Sequence, residues 1–315
     1  MNILNDKAKK ALRPLMNAIV RFQIPAKTSI RLFHTYIEPI LLYNVENWSV
    51  FSDKKIRDFN NTSMYDETST SKVDLTHRKF LKFILGVSKS CPNLAVYGET
   101  GETPLSFKGH RLTLNFWHRI TNLPDTALAK KALLENIRLR TNWIKSIEKL
   151  INHFKLADNI ENHETFKKAN IHKINKSYRD FWTNELLKPD LGRLQFYRQV
   201  KNSLEFEDYL NLEDFDKRKT IAKLRCSNHS LEIEKGRHRK IERPERLCKQ
   251  CNGGNIETEK HFLLECSKYD ILRQKYDLTE LNTVQQLMHD TPKDILGEYL
   301  IEAFSVRENG YPKPG

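Results

Sequence analysis

The chain has 315 residues, of which 39% are apolar and 30% charged, with a net charge of +13. This balance excludes a disordered polyelectrolyte, and the absence of any run of about 18 apolar residues excludes a membrane-spanning helix. A cationic surplus of this size favours polyanionic partners, with nucleic acid first among them, although a basic organellar or ribosomal protein would carry similar charge. Residues 7–22 set Ala8, Ala11, Leu12, Leu15, Ile19 and Phe22 at helical spacing, with Pro14 expected to kink or split the helix. No apolar core followed by a small-residue cleavage site occurs at the N-terminus, so no secretory leader is expected. Residues 27–43 repeat the helical period through Ile30, Phe33, Ile37, Ile40 and Leu41, with a bend expected at Pro39. His34 in this stretch reads as a packed core histidine. Residues 61–74 are polar and read as a surface loop. A short helix comes next, with Phe80, Phe83, Ile84 and Leu85 inward and Gly86 as its C-cap.

From 105 to 210 the pattern is helical throughout: one helix through Leu112–Ile120, others over Ala127–Leu139, Trp143–Phe154 and residues 163–187. Trp117, Trp143 and Trp182 could stack nucleic-acid bases, but at helical spacing such residues are more often core. Pro189–Gly192 reads as a boundary. Residues 211–226 form a helix with a basic face, and Leu231–Glu234 reads as a short strand. Between Lys217 and Lys249 there are twelve Lys/Arg against four Glu, the densest basic stretch of the chain. Such a run is usually a solvated face. Here its lopsided sign, and the cysteine-rich segment directly after it, favour phosphate contact.

That segment reads LCKQCNGGNIETEKHFLLEC. Cys248 and Cys251 are two residues apart, an Asn-Gly-Gly-Asn turn reverses the chain, and His261 and Cys266 lie on a short helix expected from about Thr258. Three thiolates and one imidazole make a closed tetrahedral set suited to structural Zn²⁺, with no position left open for catalysis. Buried free thiols beside a surface histidine are the plainer alternative; a Cys248–Cys251 disulfide is a second, disfavoured in the reducing compartment expected for this composition. Cys226, His229 and His238 lie just upstream and could compete as ligands, while Cys91 stands apart. Helices are expected over Tyr269–Tyr276 and Thr283–Phe304, then a frayed tail.

No phosphate-binding glycine loop, nucleophile elbow or His-Glu-x-x-His pattern occurs. Asp214 and Asp216 form an Asp-x-Asp pair, but three basic residues come directly after it on a helix, unlike a hairpin that presents two metal-binding aspartates. A nuclease built on His229 and His238 would need a carboxylate or amide set that is not evident.

Four blocks together resemble the C-terminal region of non-LTR (LINE-type) retrotransposon reverse transcriptases. They are KTSIRLFHTYIEPILLYNVENW (27–48), THRKFLKFILGV with LAVYGETGETPLSFKGHRLTLNFWHRI (76–120), TIAKLRCSNHSLEIEKGRH (220–238), and ERLCKQC with ETEKHFLLECSKYDILR (245–273). The last, similar to the family's CCHC zinc knuckle, is the most specific. The resemblance spans most of residues 7–276, loosely over 125–210. It implies a thumb/linker region leading to a knuckle that holds template RNA or target DNA, with Cys248, Cys251, His261 and Cys266 as ligands. It also implies phosphate contacts from Arg225, His229, Arg237, Arg239, Arg243 and Arg246. The family's Tyr-x-Asp-Asp motif is absent, so the resemblance implies part of an RNA-directed DNA polymerase that is not active alone, an upstream polymerase domain being a possible partner.

The expected fold is mainly α, a helical thumb/linker region with a small zinc-stapled C-terminal module. Its segments are 1–60 (helical, post-palm), 61–74 (polar loop), 75–210 (thumb/linker helices), 211–280 (basic helix plus knuckle) and 281–315 (C-terminal helix and tail). The expected partners are RNA or DNA, in the nucleus or cytoplasm and not at a membrane. The basic stretch 235–246 suits nuclear import. The alternative is a zinc-stabilised protein-interaction module, or a domesticated remnant without function.

Overall fold

The computed structural model describes residues 2–47, 71–156, 162–188 and 192–311. Trp48, the polar stretch 61–70, most of the 189–192 boundary and the last four residues lie outside them. The described chain is mainly α-helical and has two isolated antiparallel bridges, Thr100 with Phe206 and Leu247 with Ile256, in place of a sheet. Its helices are α1 (Asn2–Arg21), α2 (Ala26–Tyr36), α3 (Glu38–Leu41), α4 (Lys72–Leu85), α5 (Asn93–Thr100), α6 (Leu105–Thr121), α7 (Leu128–Arg138), α8 (Asn142–Phe154) and α9 (His163–Leu187). After these come α10 (Gln195–Val200), α11 (Phe215–Arg225), α12 (Glu232–His238), α13 (Asp270–Lys275), α14 (Val284–Asp290) and α15 (Lys293–Asn309).

The two prolines expected to disturb helices behave differently. Pro14 does not split α1: it sits on the exposed side, where water can serve the carbonyl left without an N–H partner. Pro39 does break the helix, since α2 ends at Tyr36 and α3 restarts with the proline in its first turn, where a missing N–H costs nothing. In the C-terminal stretch Pro292 divides α14 from α15, and Thr283 and Gln286 close a reciprocal capping box on α14. The strand expected at Leu231–Glu234 is instead the start of α12. Glu232 and Glu234 sit in its first turn and Lys235, Arg237 and His238 in its last, both favourable to the helix dipole.

The chain forms two compact units, each assembled from separated stretches, so the linear segments do not map onto them one to one. The first contains Met1–Ala18, Arg31–Arg78 and Thr103–Asn184. One of its cores joins α6, α7 and α8 through Ile120, Leu133 and Ile144, with Phe116, Trp117 and Trp143 packed against them. Trp143 also donates its indole N–H to the Glu46 carbonyl at 3.0 Å. Trp182 on α9 is fully buried, so Trp117, Trp143 and Trp182 serve as packing and not as an exposed stacking stripe.

The second unit contains Ile19–Ile30, Lys79–Glu102 and Glu185–Gly315. Its α11 lies against α15, where Lys217 bonds Asp294 at 2.7 Å and Glu298 at 2.6 Å. Asp214 caps α11, accepting from the N–H of Asp216 and Lys217, which accounts for the Asp-x-Asp pair without a metal. At the end of α5, Gly101 has φ +66°, and a Cβ there would lie 2.6 Å from the backbone nitrogen of Phe206. Gly101→Ala is expected to destabilise the chain by about 1–3 kcal/mol, from overpacking against backbone and a left-handed conformation. Denaturant unfolding measures it; a change within error would mean the 99–101 and 205–207 segments are not held together.

Candidate metal centre

The site begins with a chain reversal. Leu247 pairs with Ile256, and the Cys248 N–H donates to the Asn255 carbonyl at 2.8 Å. Gly254 supplies the positive φ that the turn between them requires. Inside the turn the Gln250 N–H points at the Cys248 Sγ, 3.4 Å away. The second half of the site is the short helix expected near Thr258: it is helical from Glu259, and its main part, His261–Glu265, is a single π-helical turn. The Thr258 hydroxyl accepts from the His261 N–H at 3.1 Å, and the Cys266 N–H donates to the His261 carbonyl at 2.8 Å. Residues five apart point away from each other on an α-helix. The i→i+5 bond realigns them, so His261 and Cys266 face the same way.

Cys248, Cys251, His261 and Cys266 thereby converge, with one ligand atom from each lying within 4.8 Å of the others, as a single metal ion requires. Cys248 Sγ is 3.9 Å from Cys266 Sγ, and Cys251 Sγ is 3.4 Å from His261 Nε2. None of the cysteines is in a disulfide. Burial raises the Cys248 thiol above its ordinary pKa and the Cys266 thiol to about 12, whereas the Gly253 N–H lowers that of Cys251. Three adjacent thiols cannot all ionise unless positive charge sits among them.

The surroundings hold the ligands in place. Arg273, itself buried, donates to the carbonyls of Cys266 at 2.6 Å and Leu263 at 3.3 Å. The Tyr299 hydroxyl donates to the Leu263 carbonyl at 3.1 Å, and Phe262 packs on Tyr269 and Phe304. Glu257, fully inside, receives a two-pronged ion pair from Arg307 at 2.7 and 2.8 Å. Such partners fix ligand orientation.

The basic lead-in is more structural than its composition suggests. Arg225 is 2% exposed and cannot reach a phosphate. Its guanidinium holds Glu99 through bonds of 2.8 and 3.0 Å and Glu207 at 3.0 Å. His229 is also inside the protein, 3.0 Å from the Glu259 carboxylate. Arg246 donates to the carbonyls of Ile241 and Ile233, at 2.9 and 3.0 Å. Arg237 bonds Glu234 at 2.8 Å but stays partly exposed, Arg239 is exposed and bonds Glu232, and Arg243 is exposed. Of the six residues carried over from the resemblance, Arg237, Arg239 and Arg243 lie on the surface, joined by exposed Lys235, Lys240 and Lys249. Cys226 and His238 are not among the ligands. Cys226 is buried with the Cys91 thiol as its neighbour, and His238 is exposed beside Arg237.

The buried cluster of Glu99, Arg225, Glu207, Lys201 and Tyr209 has no signal in the sequence. Glu99 lies in a turn-like Gly-Glu-Thr-Gly-Glu-Thr-Pro run, and nothing there pairs it with an arginine 126 residues away. The π-turn has a faint sign in the five-residue His-to-Cys spacing, which suits no α-helical ligand pair. Among the described residues, no helix is long and apolar enough to cross a membrane. Comparison with protein-family models, curated proteins and solved structures finds no match to this chain.

Proposed function

We propose that this chain is the nucleic-acid-binding C-terminal portion of a reverse transcriptase of the non-LTR retrotransposon type. In this reading a structural Zn²⁺ closes the Cys/His turn and holds the basic lead-in against RNA template or target DNA. Zinc suits the donor set: tetrahedral bonds of about 2.3 Å to sulfur and 2.05 Å to nitrogen give ligand–ligand edges of about 3.8 Å for S–S and 3.6 Å for S–N. The corresponding separations here are 3.9 and 3.4 Å. All four positions go to protein, so the metal organises and does not catalyse. The chain lacks the family's Tyr-x-Asp-Asp motif, and polymerase chemistry would come from a separate domain.

The observation that carries the reading is the coupling between the metal turn and the basic helix. Glu257, on the returning arm of the turn, accepts the N–H of Ile233 at 3.3 Å and of Glu232 at 2.5 Å, and donates its own N–H to Arg246 at 2.9 Å. Ordering the turn therefore orders α12, which carries Arg237 and leads to Arg239, Lys240 and Arg243. These four supply the phosphate contacts.

Affinity for duplex DNA should then fall steeply with salt, with a log–log slope of about −0.9 for each phosphate neutralised. Replacing Arg239, Lys240 and Arg243 by glutamine should flatten that slope by about one for each residue and weaken binding to all sequences alike. Titration of duplex DNA and RNA at several salt concentrations reads both. A salt-independent affinity, or a triple variant with an unchanged slope, would refute the assignment.

A further inference from the structure

The second compact unit also holds a cavity of about 550 Å³ whose lining includes neither the Cys/His cluster nor any of the six residues that the resemblance implies as phosphate contacts. Its walls include Ile19, Ile24, Phe83, Ile84 and Phe215. Val20 lines it while 65% exposed, so the cavity opens to solvent beside that residue. The volume is in the range of sites that take a small molecule or one or two large side chains.

The charge of the rim narrows the occupant. Glu213, Asp214 and Asp216 line the cavity and all three are exposed, an acidic rim on a chain whose net charge is +13. Asp214 is engaged as the cap of α11, and Asp216 lies 3.5 Å from Lys219. Arg218 also lines the cavity, while only 8% exposed. Its Nη1 donates to the carbonyls of Leu212 and Glu213, but its Nε has no acceptor among the described residues. That Nε has no accessible surface, so Arg218 forms part of the wall and offers no contact to an occupant.

We propose that this cavity receives a peptide segment of a partner protein bearing a large apolar side chain flanked by Lys or Arg. The apolar side chain fills the cavity and the flanking cations meet Glu213 and Asp216. Nucleic acid would be repelled by the same rim, so this surface is separate from the proposed phosphate contacts and does not depend on that reading.

The test uses the full chain and a short dye-labelled peptide with one tryptophan and two leucines flanked by lysines, read by fluorescence anisotropy against a glutamate-flanked counterpart. The lysine peptide is expected to bind at least about tenfold more tightly than the glutamate peptide. Glu213→Lys together with Asp216→Lys should weaken it by roughly tenfold, and the exposed Val20→Lys by a similar factor, with duplex-DNA affinity reduced by neither. Circular dichroism and metal content confirm that these surface variants fold, and Val20→Lys serves alone if the double variant does not. Failure of the lysine peptide to bind, equal binding of both peptides, unchanged affinity in the Val20 variant, or displacement of the peptide by an oligonucleotide would each overturn the proposal.

Discussion

Removing the metal is expected to unfold the segment around the Cys/His turn. Metal binding to a structural Cys/His site contributes on the order of 10 kcal/mol at neutral pH, as large as the whole stability of a typical domain. The four ligands converge through a short reversal and a single π-turn; buried Phe262 and Leu263 anchor the π-turn, so the reversal carrying Cys248 and Cys251 is the part that depends on the metal. Cys266→Ala should therefore lose stoichiometric metal and the cooperative melting of the C-terminal region. Cys226→Ala, also at a buried thiol, should keep the metal and lose only the packing of its sulfur. That contrast separates the ligand set from the upstream cysteine that sequence alone leaves in contention. Acid should mimic chelation. The metal requires three thiolates, and the Cys248 and Cys266 thiols have raised pKa values without it, so metal affinity falls as pH falls, by up to one proton per thiol. Metal content after equilibration at pH 5 and pH 8 measures this; equal retention at both would contradict the thiolate set.

Breaking the buried ion pair between Glu99 and Arg225 is the other large effect. Arg225→Ala is expected to cost about 3–5 kcal/mol, because it leaves Glu99, which is 0% exposed, as an uncompensated carboxylate beside Tyr209. Burial by itself would raise the Glu99 pKa, but the Arg225 charge and hydrogen bonds outweigh it and hold the pKa below 4.5. A lowered folded-state pKa makes this stabilisation fully present above the unfolded-state value, and it is lost as pH falls through the folded-state one. Replacing both partners, Glu99→Leu with Arg225→Met, should recover much of the single-variant loss, since the desolvation of both charges disappears together. Urea unfolding of the two singles and the double closes the cycle. A loss below about 1 kcal/mol for Arg225→Ala would put the side chain at the surface, as the composition of the basic run suggests.

The legible part of this protein is the part whose physics is local. Ile144, Ile147, Leu150 and Phe154 fall on one side of α8, and all four are buried. The Cys-x-x-Cys spacing and the later His and Cys identify four ligands that do converge. Charge is harder to read. Arg225, Arg239 and Arg243 look alike in sequence, yet one is sealed against carboxylates far along the chain, one is exposed but bonded to Glu232, and one faces water. The short stretch Leu231–Glu234 alternates apolar and acidic residues, a pattern that also fits the first turn of a helix, and the dipole complement of α12 decides it. In sequence the acidic rim of the cavity looks like nothing more than a failed metal pair, because the apolar walls come from residues 19–26 and 83–84, distant along the chain.

The most direct test of the coupling between metal and nucleic-acid binding is the affinity of the full chain for duplex DNA and RNA at two salt concentrations, with and without a zinc chelator. Salt-steep binding that is lost on chelation and restored by added zinc is the expected result. Zinc-loaded protein that ignores both nucleic acids, or binds them equally well after chelation, would contradict it and leave the metal as a fold staple alone.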